Sequence, residues 1–484
     1  MPIPILGEIY YNGIDSIPYL LPVLKVVPWL LIVVILKVYF NGYRNRNERV
    51  MHGKVAIITG GTSGVGAAIV NDLAARGTHL ILLVRNASDI FTVDYIEDLR
   101  ERHGNPFIYA EECDLSSLHS IRLFATKFID NTPPRRLDMV VCCAGVMAPP
   151  YTPRTTTEDG IEAHWGLNFL ANFQLLNILA PCLRAQPPDR DVRILLATCS
   201  SYITGNLDLN DPQFFRRKYP LRTPWLCYGA SKMALMAFCL EFQRRLDSYV
   251  RPDKQPNNVR IYNIDPGLVR TPGSRRWITM GSLWGLGVYL VMWPIWWLVL
   301  KDPQQGAQSF LAAAMSPECG MGEGGKFLRE CQNQKYRADE LTSPELGKQL
   351  WELAELMIKD AEKAGAIKRA KEKGKKKAQE DMKSEPKPDE GDKELVEKIR
   401  QRKEALRKIL EEEEAKEHEE RAKAKLPPSL IPPPPADTPR RSTRSRTEEL
   451  RAEEVKNVPK VKIETKEEVQ DAPSRNTRRR TKKA

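Results

Sequence analysis

The chain has 484 residues, a formal net charge of +12 and a composition that changes along its length. Residues 51–335 read as one globular domain, whereas Lys, Glu and Arg dominate residues 343–484. We expect the charged tail to be disordered or singly helical, because it buries too little apolar surface to offset its conformational entropy. Nine cysteines without a Cys-x-x-Cys pair indicate free thiols in a reducing compartment and exclude an evident metal site.

An apolar stretch at residues 17–40 follows a short N-terminus, residues 1–16, that we expect to be lumenal or exposed. Lys25 and Lys37 interrupt the stretch, so a membrane-anchoring span requires one of these side chains to reach toward the interface. Acidic residues precede the stretch and arginines follow it, which predicts that the rest of the chain faces the cytosol. A helix that lies in the interface without crossing is the alternative.

Strands and helices alternate through the globular region. Short runs rich in Val and Ile predict strands that are buried on both faces, which is typical of a parallel sheet. The alternation predicts an α/β fold with a doubly wound parallel sheet, in a single domain. The predicted strands are residues 54–59, 79–84, 107–111, 137–143, 192–198, 259–264 and 325–328. The main predicted helices are residues 67–76, 117–129, 160–183 and 228–246.

Residues 277–300 form a segment of 24 residues without a charge that holds five of the nine tryptophans. The segment is long enough to span a bilayer, but one crossing would separate the last predicted strand from its sheet. We therefore expect it to lie on the membrane, to dip and return at Pro294, or to line an apolar cavity. Its tryptophans favour membrane contact. A soluble apolar lid is the alternative.

A glycine-rich turn, Thr59-Gly60-Gly61-Thr62-Ser63-Gly64-Val65-Gly66, joins the first predicted strand to a helix. Missing Cβ atoms allow close approach of a diphosphate, and the helix N-terminus offers free N–H groups. This context predicts a dinucleotide site, formed by Gly60, Thr62, Ser63, Gly64, Val65 and Gly66. Arg85, after the second strand, suits a 2′-phosphate and favours NADP(H) over NAD(H). A solvated surface arginine is the alternative.

Tyr228 and Lys232 are four residues apart in a predicted helix, so they project from one face. A nearby ammonium favours the phenolate over the phenol. We therefore expect Lys232 to lower the pKa of Tyr228 from its ordinary value of about 10. Such a tyrosine serves as a general acid or base.

These motifs, in this order, resemble the short-chain dehydrogenase/reductase family over residues 51–335, in particular its retinol dehydrogenase-like branch and membrane-anchored fungal members. The resemblance implies a Rossmann fold and makes Tyr228 and Lys232 the catalytic pair. It implies that Ser201, or alternatively Ser200, orients the substrate oxygen and that Asn168 holds a proton-relay water. Residues implied to contact the cofactor are also Asp114, Ala144, Gly145, Tyr228, Lys232, Pro266, Gly267, Val269 and Thr271.

The resemblance implies an NADP(H)-dependent enzyme that interconverts a hydrophobic alcohol and its aldehyde or ketone. With the anchor, it implies a retinoid-, sterol- or acyl-like lipid at the endoplasmic reticulum membrane or a lipid droplet. One departure is Cys142-Cys143, where the family carries two asparagines, and a thiol is the weaker hydrogen-bonding group. This departure motivates the alternative of a cofactor-binding pseudo-enzyme that acts as a scaffold on membranes or lipid droplets.

The tail carries three further patterns. Residues 392–425 favour a helix, and residues 427–439 predict an extended polyproline linker. Basic clusters at 440–446 and 478–483 are expected to contact anionic lipid, with nucleic acid as the less favoured partner. The sequence is compatible with an oligomer.

Overall fold

The computed structural model describes residues 10–11, 20–131, 135–384 and 401. The predictions for residues 427–439, for the basic clusters, and for nearly all of residues 1–16 and 392–425 lie outside this description. An N-terminal helix, α1, covers Leu20–Asn41 and precedes the sheet domain.

The domain is built on one eight-stranded sheet with the order β3-β2-β1-β4-β5-β6-β7-β8. All neighbouring strands are parallel except β7 and β8, which are antiparallel. The doubly wound α/β prediction is confirmed, although the short edge strand β8 was not predicted. The strands are β1 (Val55–Thr59), β2 (His79–Val84), β3 (Ile108–Glu112), β4 (Met139–Cys142), β5 (Val192–Ala197), β6 (Val259–Asp265), β7 (Phe327–Arg329) and β8 (Gln332–Gln334).

Helices cover both faces of the sheet, which is why its central strands are apolar throughout. The helices after α1 are α2 (Gly64–Ala75), α3 (Ile90–His103), α4 (Leu118–Ile129), α5 (Ala171–Arg184), α6 (Trp225–Ser248), α7 (Pro272–Ile278), α8 (Leu283–Val291), α9 (Trp293–Val299), α10 (Pro303–Met315), α11 (Pro317–Met321) and α12 (Pro344–Ser384). Side chains of α2, α3 and α10 share one core, and those of α4, α5, α6 and α12 share the other.

A π-helical turn at Trp165–Leu170 precedes α5. The predicted helix at 160–183 therefore starts too early, because Thr156 and Glu162 instead form an antiparallel bridge. Within this turn the carbonyl of Asn168 accepts a hydrogen bond from Asn172 Nδ2 at 2.8 Å. Single π-turns of this kind often occur at functional sites, where they redirect a side chain.

The helical segment Trp165–Arg184 is long and apolar enough to cross a bilayer. Its most apolar window is 72% buried within the domain, where it packs against α4 and α6. Burial in the core accounts for its composition, so this helix carries no indication of a membrane span.

The folded domain extends beyond residue 335, which corrects the predicted boundary. Helix α12 buries an apolar stripe, formed by Leu350, Trp351, Ala354 and Ile358, against the core of α4, α5 and α6. Arg122 donates two hydrogen bonds to the Glu362 carboxylate, at 2.6 and 2.8 Å. The tail, predicted to be disordered or singly helical, is one helix over Pro344–Ser384. The packing of its first turns on the domain was not predicted, because a composition average over residues 343–484 hides a stripe at helical spacing.

Residues 277–300 do not form one long helix. These residues form the end of α7 and the short helices α8 and α9, and Pro294 is the second residue of α9. Strand β7, which follows this segment, pairs with β6 in the sheet. This pairing agrees with the expectation that residues 277–300 do not cross a membrane once.

Candidate active site

The candidate site lies where parallel strands end, at the carboxyl edge of the sheet. The glycine-rich turn runs from β1 to α2, and Ala144, after β4, donates its backbone N–H to Thr59 Oγ1 at 3.2 Å. A Cβ on Gly66 would stand 2.1 Å from the Gly60 carbonyl oxygen, so this position requires glycine. Thr62 and Ser63 are exposed, and the Ser63 side chain does not cap α2. The turn and the first residues of α2 therefore suit a diphosphate.

Arg85 directly follows β2, whose Leu83 pairs with Thr59 at the start of the glycine-rich turn. Its side chain is exposed, and no carboxylate among the described residues pairs with its guanidinium. An anion near the turn could therefore be bound by Arg85 without breaking an ion pair.

Asp114 shapes the turn that follows β3. Its Oδ1 accepts the Ser116 N–H at 2.8 Å, and its own N–H donates to Ser120 Oγ at 3.0 Å. The second carboxylate oxygen is free of these turn contacts.

The loop after β6 stands against the glycine-rich turn. Gly267 has a φ of +78° and donates its N–H to Asp265 Oδ1 at 2.8 Å. Thr271 caps α7, and its methyl carbon lies 3.1 Å from the position that a Cβ of Gly64 would take. Pro266 begins this loop, and the buried Val269 side chain packs beside Gly306. Val269 therefore offers the site its backbone and not its side chain.

Tyr228 and Lys232 project from α6 toward this edge of the sheet. Lys232 Nζ lies 5.6 Å from the centroid of the Tyr228 ring and donates to the Ala197 carbonyl at 2.8 Å. The same Nζ is 3.4 Å from the position that a Cβ of Gly145 would take. The predicted pair is therefore brought together with Ala144 and Gly145, beside the glycine-rich turn.

Burial raises the pKa of Tyr228 well above its ordinary value, and the neighbouring Cys199 and Asp265 raise it further. Burial also lowers the pKa of Lys232, against the effect of Cys199 and Cys143. The pKa of Tyr228 is therefore raised and not lowered as expected, because removing the phenol from water opposes its ionisation. Tyr228 is consequently protonated at neutral pH and able to donate a proton.

The two candidate serines differ in their contacts. Ser200 Oγ donates to the buried Asp265 carboxylate at 2.5 Å, whereas Ser201 Oγ lies 2.6 Å from Cys199 Sγ. The Cys199 thiol also neighbours the Tyr228 phenol, whose pKa it raises. Cys199 was not predicted as a site residue, although its place just after β5, beside the two serines, was a signal for it.

Asn168 is fully buried and fixes the chain after β4. Its Oδ1 accepts the Val146 N–H at 2.8 Å, and its Nδ2 donates to the Val146 carbonyl at 3.0 Å and to Ser231 Oγ at 3.1 Å. These bonds hold the segment that contains Ala144 and Gly145. The relay water remains a prediction.

A buried carboxylate–imidazole pair was also missed. His164 Nδ1 lies 2.7 Å from Glu162 Oε1, and His164 Nε2 accepts the Ala148 N–H at 3.0 Å. This acceptor role assigns the neutral tautomer with its proton on Nδ1. The imidazole ring meets the Tyr228 ring edge-to-face, with centroids 6.3 Å apart. The available sequence signal was the presence of Glu162 and His164 in the Ile161–Leu170 stretch, where Asn168 is the one other polar side chain.

The cysteines that replace the two asparagines remain thiols. Cys142 is buried in β4, and burial raises the pKa of Cys143 to about 12. All nine cysteines are free, and the described residues contain no group of three metal-ligating side chains. These thiols are therefore weak nucleophiles at neutral pH.

The amino-acid sequence is similar to those of known proteins. The short chain dehydrogenase family profile matches residues 54–195. An uncharacterized oxidoreductase of Schizosaccharomyces pombe is 44% identical over 364 residues, which cover 75% of this chain and 97% of that protein. Human retinol dehydrogenase 13 is 32% identical over 333 residues, which cover 69% and 93% of the two chains. Mouse polyprenol dehydrogenase is 33% identical over 302 residues, which cover 62% and 82%.

Proposed function

This chain is an oxidoreductase of the short-chain dehydrogenase/reductase family, and we propose that it moves hydride between NADP(H) and a hydrophobic alcohol or its carbonyl form. One observation carries the proposal: Lys232 Nζ and the Tyr228 ring lie within 5.6 Å of each other beside Gly145. A buried phenol beside an ammonium, at the carboxyl edge of a parallel sheet, is suited to exchange a proton with a substrate oxygen.

The residues present fit a dinucleotide. Gly60, Thr62, Ser63, Gly64, Val65 and Gly66 would hold the diphosphate, because Gly66 permits a close turn and the first turn of α2 is open. Arg85 would bind a 2′-phosphate, which supports NADP(H) over NAD(H). Asp114, Ala144, Gly145 and the Pro266–Thr271 loop complete the predicted cofactor contacts. When bound, the nicotinamide supplies or accepts the hydride.

Side chains of the protein would donate the proton and return it to Tyr228. In reduction, Tyr228 transfers its phenolic proton to the substrate oxygen as the carbonyl carbon gains hydride, which yields the alcohol. Ser201 or its neighbour Cys199 would orient that oxygen, since both belong to the hydrogen-bonded group beside the phenol. Lys232 would stabilise negative charge left on Tyr228, and a water at Asn168 would return the proton. Positioned proton transfer of this kind contributes about 10²–10⁴-fold to rate.

The proposed substrate is an apolar lipid alcohol. Retinol and polyprenol, named in two relatives, are both long isoprenoid alcohols. Helix α1 exposes a wholly apolar run at residues 26–36, which supports attachment to a membrane such as the endoplasmic reticulum or the monolayer of a lipid droplet. Arginines after α1 favour a cytosolic position for the domain.

The test is turnover of purified full-length protein in vesicles, with NADPH and a panel of retinoid, polyprenoid, sterol and fatty aldehydes or ketones. We expect Tyr228→Phe to lower the rate about 10²–10⁴-fold while the Kd for NADPH changes less than about twofold. Tyr249→Phe, at the C-terminal end of α6, is the matched control and should retain activity. An unchanged rate in Tyr228→Phe would contradict the assigned role. NADPH binding by the wild type without turnover of any panel member would instead support the scaffold.

A further inference from the structure

Helices α8 and α9, which only Met292 separates, form a segment with an apolar outer surface, here called the α8–α9 segment. Tyr289 is buried between them and contacts Trp293 and Trp296, with ring centroids 6.1 Å away in both cases. The outward side chains are large and apolar: Trp284 is 86% exposed and Leu290 is 62% exposed. We call this surface, with the apolar face of α1, the apolar platform. A continuous exposed surface of this kind indicates a hydrophobic partner.

The platform is held together by a lysine from the anchor. Lys37, in α1, donates from Nζ to the Trp297 carbonyl at 2.6 Å and to the Leu300 carbonyl at 3.3 Å. These carbonyls belong to the last turn of α9, which lacks partners within its own helix and attracts cations. The Lys37 ammonium in the anchor is thus bound by carbonyl oxygens at the end of α9. Helix α1 consequently packs against the domain.

A line of cations borders the platform. The Arg270 guanidinium stacks 4.6 Å from the Trp293 ring and bonds Asp302 at 2.6 Å, while Arg275 and Arg276 are exposed on α7. Tryptophan beside arginine is the arrangement expected at the boundary between apolar chains and headgroups. Cations along an aromatic rim therefore favour a phospholipid surface over a protein partner.

The length of the α8–α9 segment limits how deep it can reach. Helix α8 has 9 residues and α9 has 7, so they extend about 14 Å and 11 Å at 1.5 Å per residue. Neither crosses a hydrocarbon core of about 30 Å, and the chain is back at the domain where Lys301 bridges Val269. The segment can therefore occupy one leaflet only.

The platform adjoins the rim of the active site. Helix α7 follows directly from Thr271, and its Trp277 ring meets the Trp225 ring edge-to-face with centroids 6.3 Å apart. Trp225 lies one helical turn before Tyr228. A Cβ on Gly281 would be 3.8 Å from Pro149, in the loop after β4.

We propose that the α8–α9 segment inserts with α1 into a single leaflet of a phospholipid membrane, and that the substrate enters from that leaflet past Trp225, Trp277 and Pro149. The insertion stands on the surface just described, whereas the entry route rests on the proposed oxidoreductase function. The two parts can therefore fail separately.

Insertion is measured without turnover. Full-length protein is reconstituted in phosphatidylcholine vesicles with and without brominated acyl chains, and its tryptophan fluorescence is compared with that of Trp284→Phe and Trp351→Phe. We expect Trp284→Phe to remove part of the lipid-quenched signal. Trp351→Phe is the control, because Trp351 is buried against α6, and it should remove signal that bromine does not quench. A lipid-quenched signal that is the same in Trp284→Phe and in the wild type would overturn insertion.

Entry is measured by comparing a long isoprenoid alcohol dissolved in vesicles with a short, water-soluble allylic alcohol. Leu290→Glu should lower kcat/KM at least tenfold for the vesicle substrate and less than twofold for the soluble one. Leu123→Glu, which places the same charge at a similarly exposed leucine of α4, should change neither. Equal vesicle activity in Leu290→Glu and Leu123→Glu would overturn entry from the leaflet. A wild type that oxidises neither alcohol and reduces neither corresponding aldehyde would refute the proposed function, while the quenching result would still decide insertion.

Discussion

The Glu162–His164 pair should be essential to the geometry around Tyr228, and replacing Glu162 by glutamine tests this. The Glu162 carboxylate accepts hydrogen bonds from His164 Nδ1–H at 2.7 Å, from the Trp165 N–H at 2.8 Å and from the Tyr219 hydroxyl at 3.3 Å. His164 cannot change tautomer freely, because its Nε2 accepts the Ala148 N–H. In either orientation of the new side chain, therefore, the amide nitrogen introduced by Glu162→Gln would face a donor.

The cost follows from these contacts. One hydrogen bond to a charged group is worth about 1.5–3 kcal/mol, and a buried donor left without an acceptor costs about 1–3 kcal/mol. The free energy of unfolding should consequently fall by about 3–5 kcal/mol. With an unfolding entropy of about 2.1 cal/mol/K per residue over a domain of roughly 330 residues, Tm should fall by about 4–7 °C.

The network joins Ala148, after β4, and Tyr219, before α6, to the turn that carries Asn168. Loosening it should therefore lower kcat/KM roughly tenfold to a hundredfold through misplaced side chains at the site. The measurements are thermal unfolding by circular dichroism and NADPH-dependent turnover, both on full-length protein. Glu158→Gln, which changes an exposed carboxylate nearby, is the control and should shift the free energy of unfolding by less than about 0.5 kcal/mol.

The effect should also depend on pH. Burial raises the pKa of Glu162, but hydrogen bonds from His164 and the Trp165 N–H outweigh burial and lower the pKa below its ordinary value. A carboxylate with a depressed pKa stabilises the fold above its unfolded pKa of about 4.3, and this stabilisation is lost as pH falls further. The difference in Tm between wild type and Glu162→Gln should thus narrow below about pH 4. Equal Tm and kcat/KM for the two proteins at pH 7 would refute the reasoning.

Three further outcomes follow from the structure. Trp351→Ala should lower the free energy of unfolding by about 3–5 kcal/mol, measured by thermal unfolding, because it empties a site packed against Phe173 and Phe242; an unchanged Tm would mean that α12 is not part of the domain. Arg85→Asp should raise the KM for NADPH about tenfold to a hundredfold and spare NADH, and equal effects on both would contradict the 2′-phosphate contact. Since Tyr228 has a raised pKa, reduction should vary little between pH 6 and 8 while oxidation accelerates as pH rises; the opposite slopes would contradict a protonated phenol.

Much of the fold could be predicted because its determinants are local. A parallel strand covered on both faces is apolar along its whole length, and β2 has the bounds that were predicted, residues 79–84. The glycine-rich turn requires small residues at fixed spacing, and Tyr228 and Lys232 share a helix face because 3.6 residues make one turn. Each of these features is set by neighbours a few residues away.

Tertiary structure alone decided the rest, because it depends on groups that are distant in sequence. Helix α12 packs because its apolar stripe fits against an apolar surface formed by α4, α5 and α6. The average composition of the tail does not reveal this stripe. The contacts of Ser200, Ser201 and Cys199 depend on Asp265 and Tyr228, which come from other elements. The direction of the Tyr228 pKa shift was likewise set by burial, and not by the lysine one helical turn away, because desolvation sums over every element that encloses the phenol.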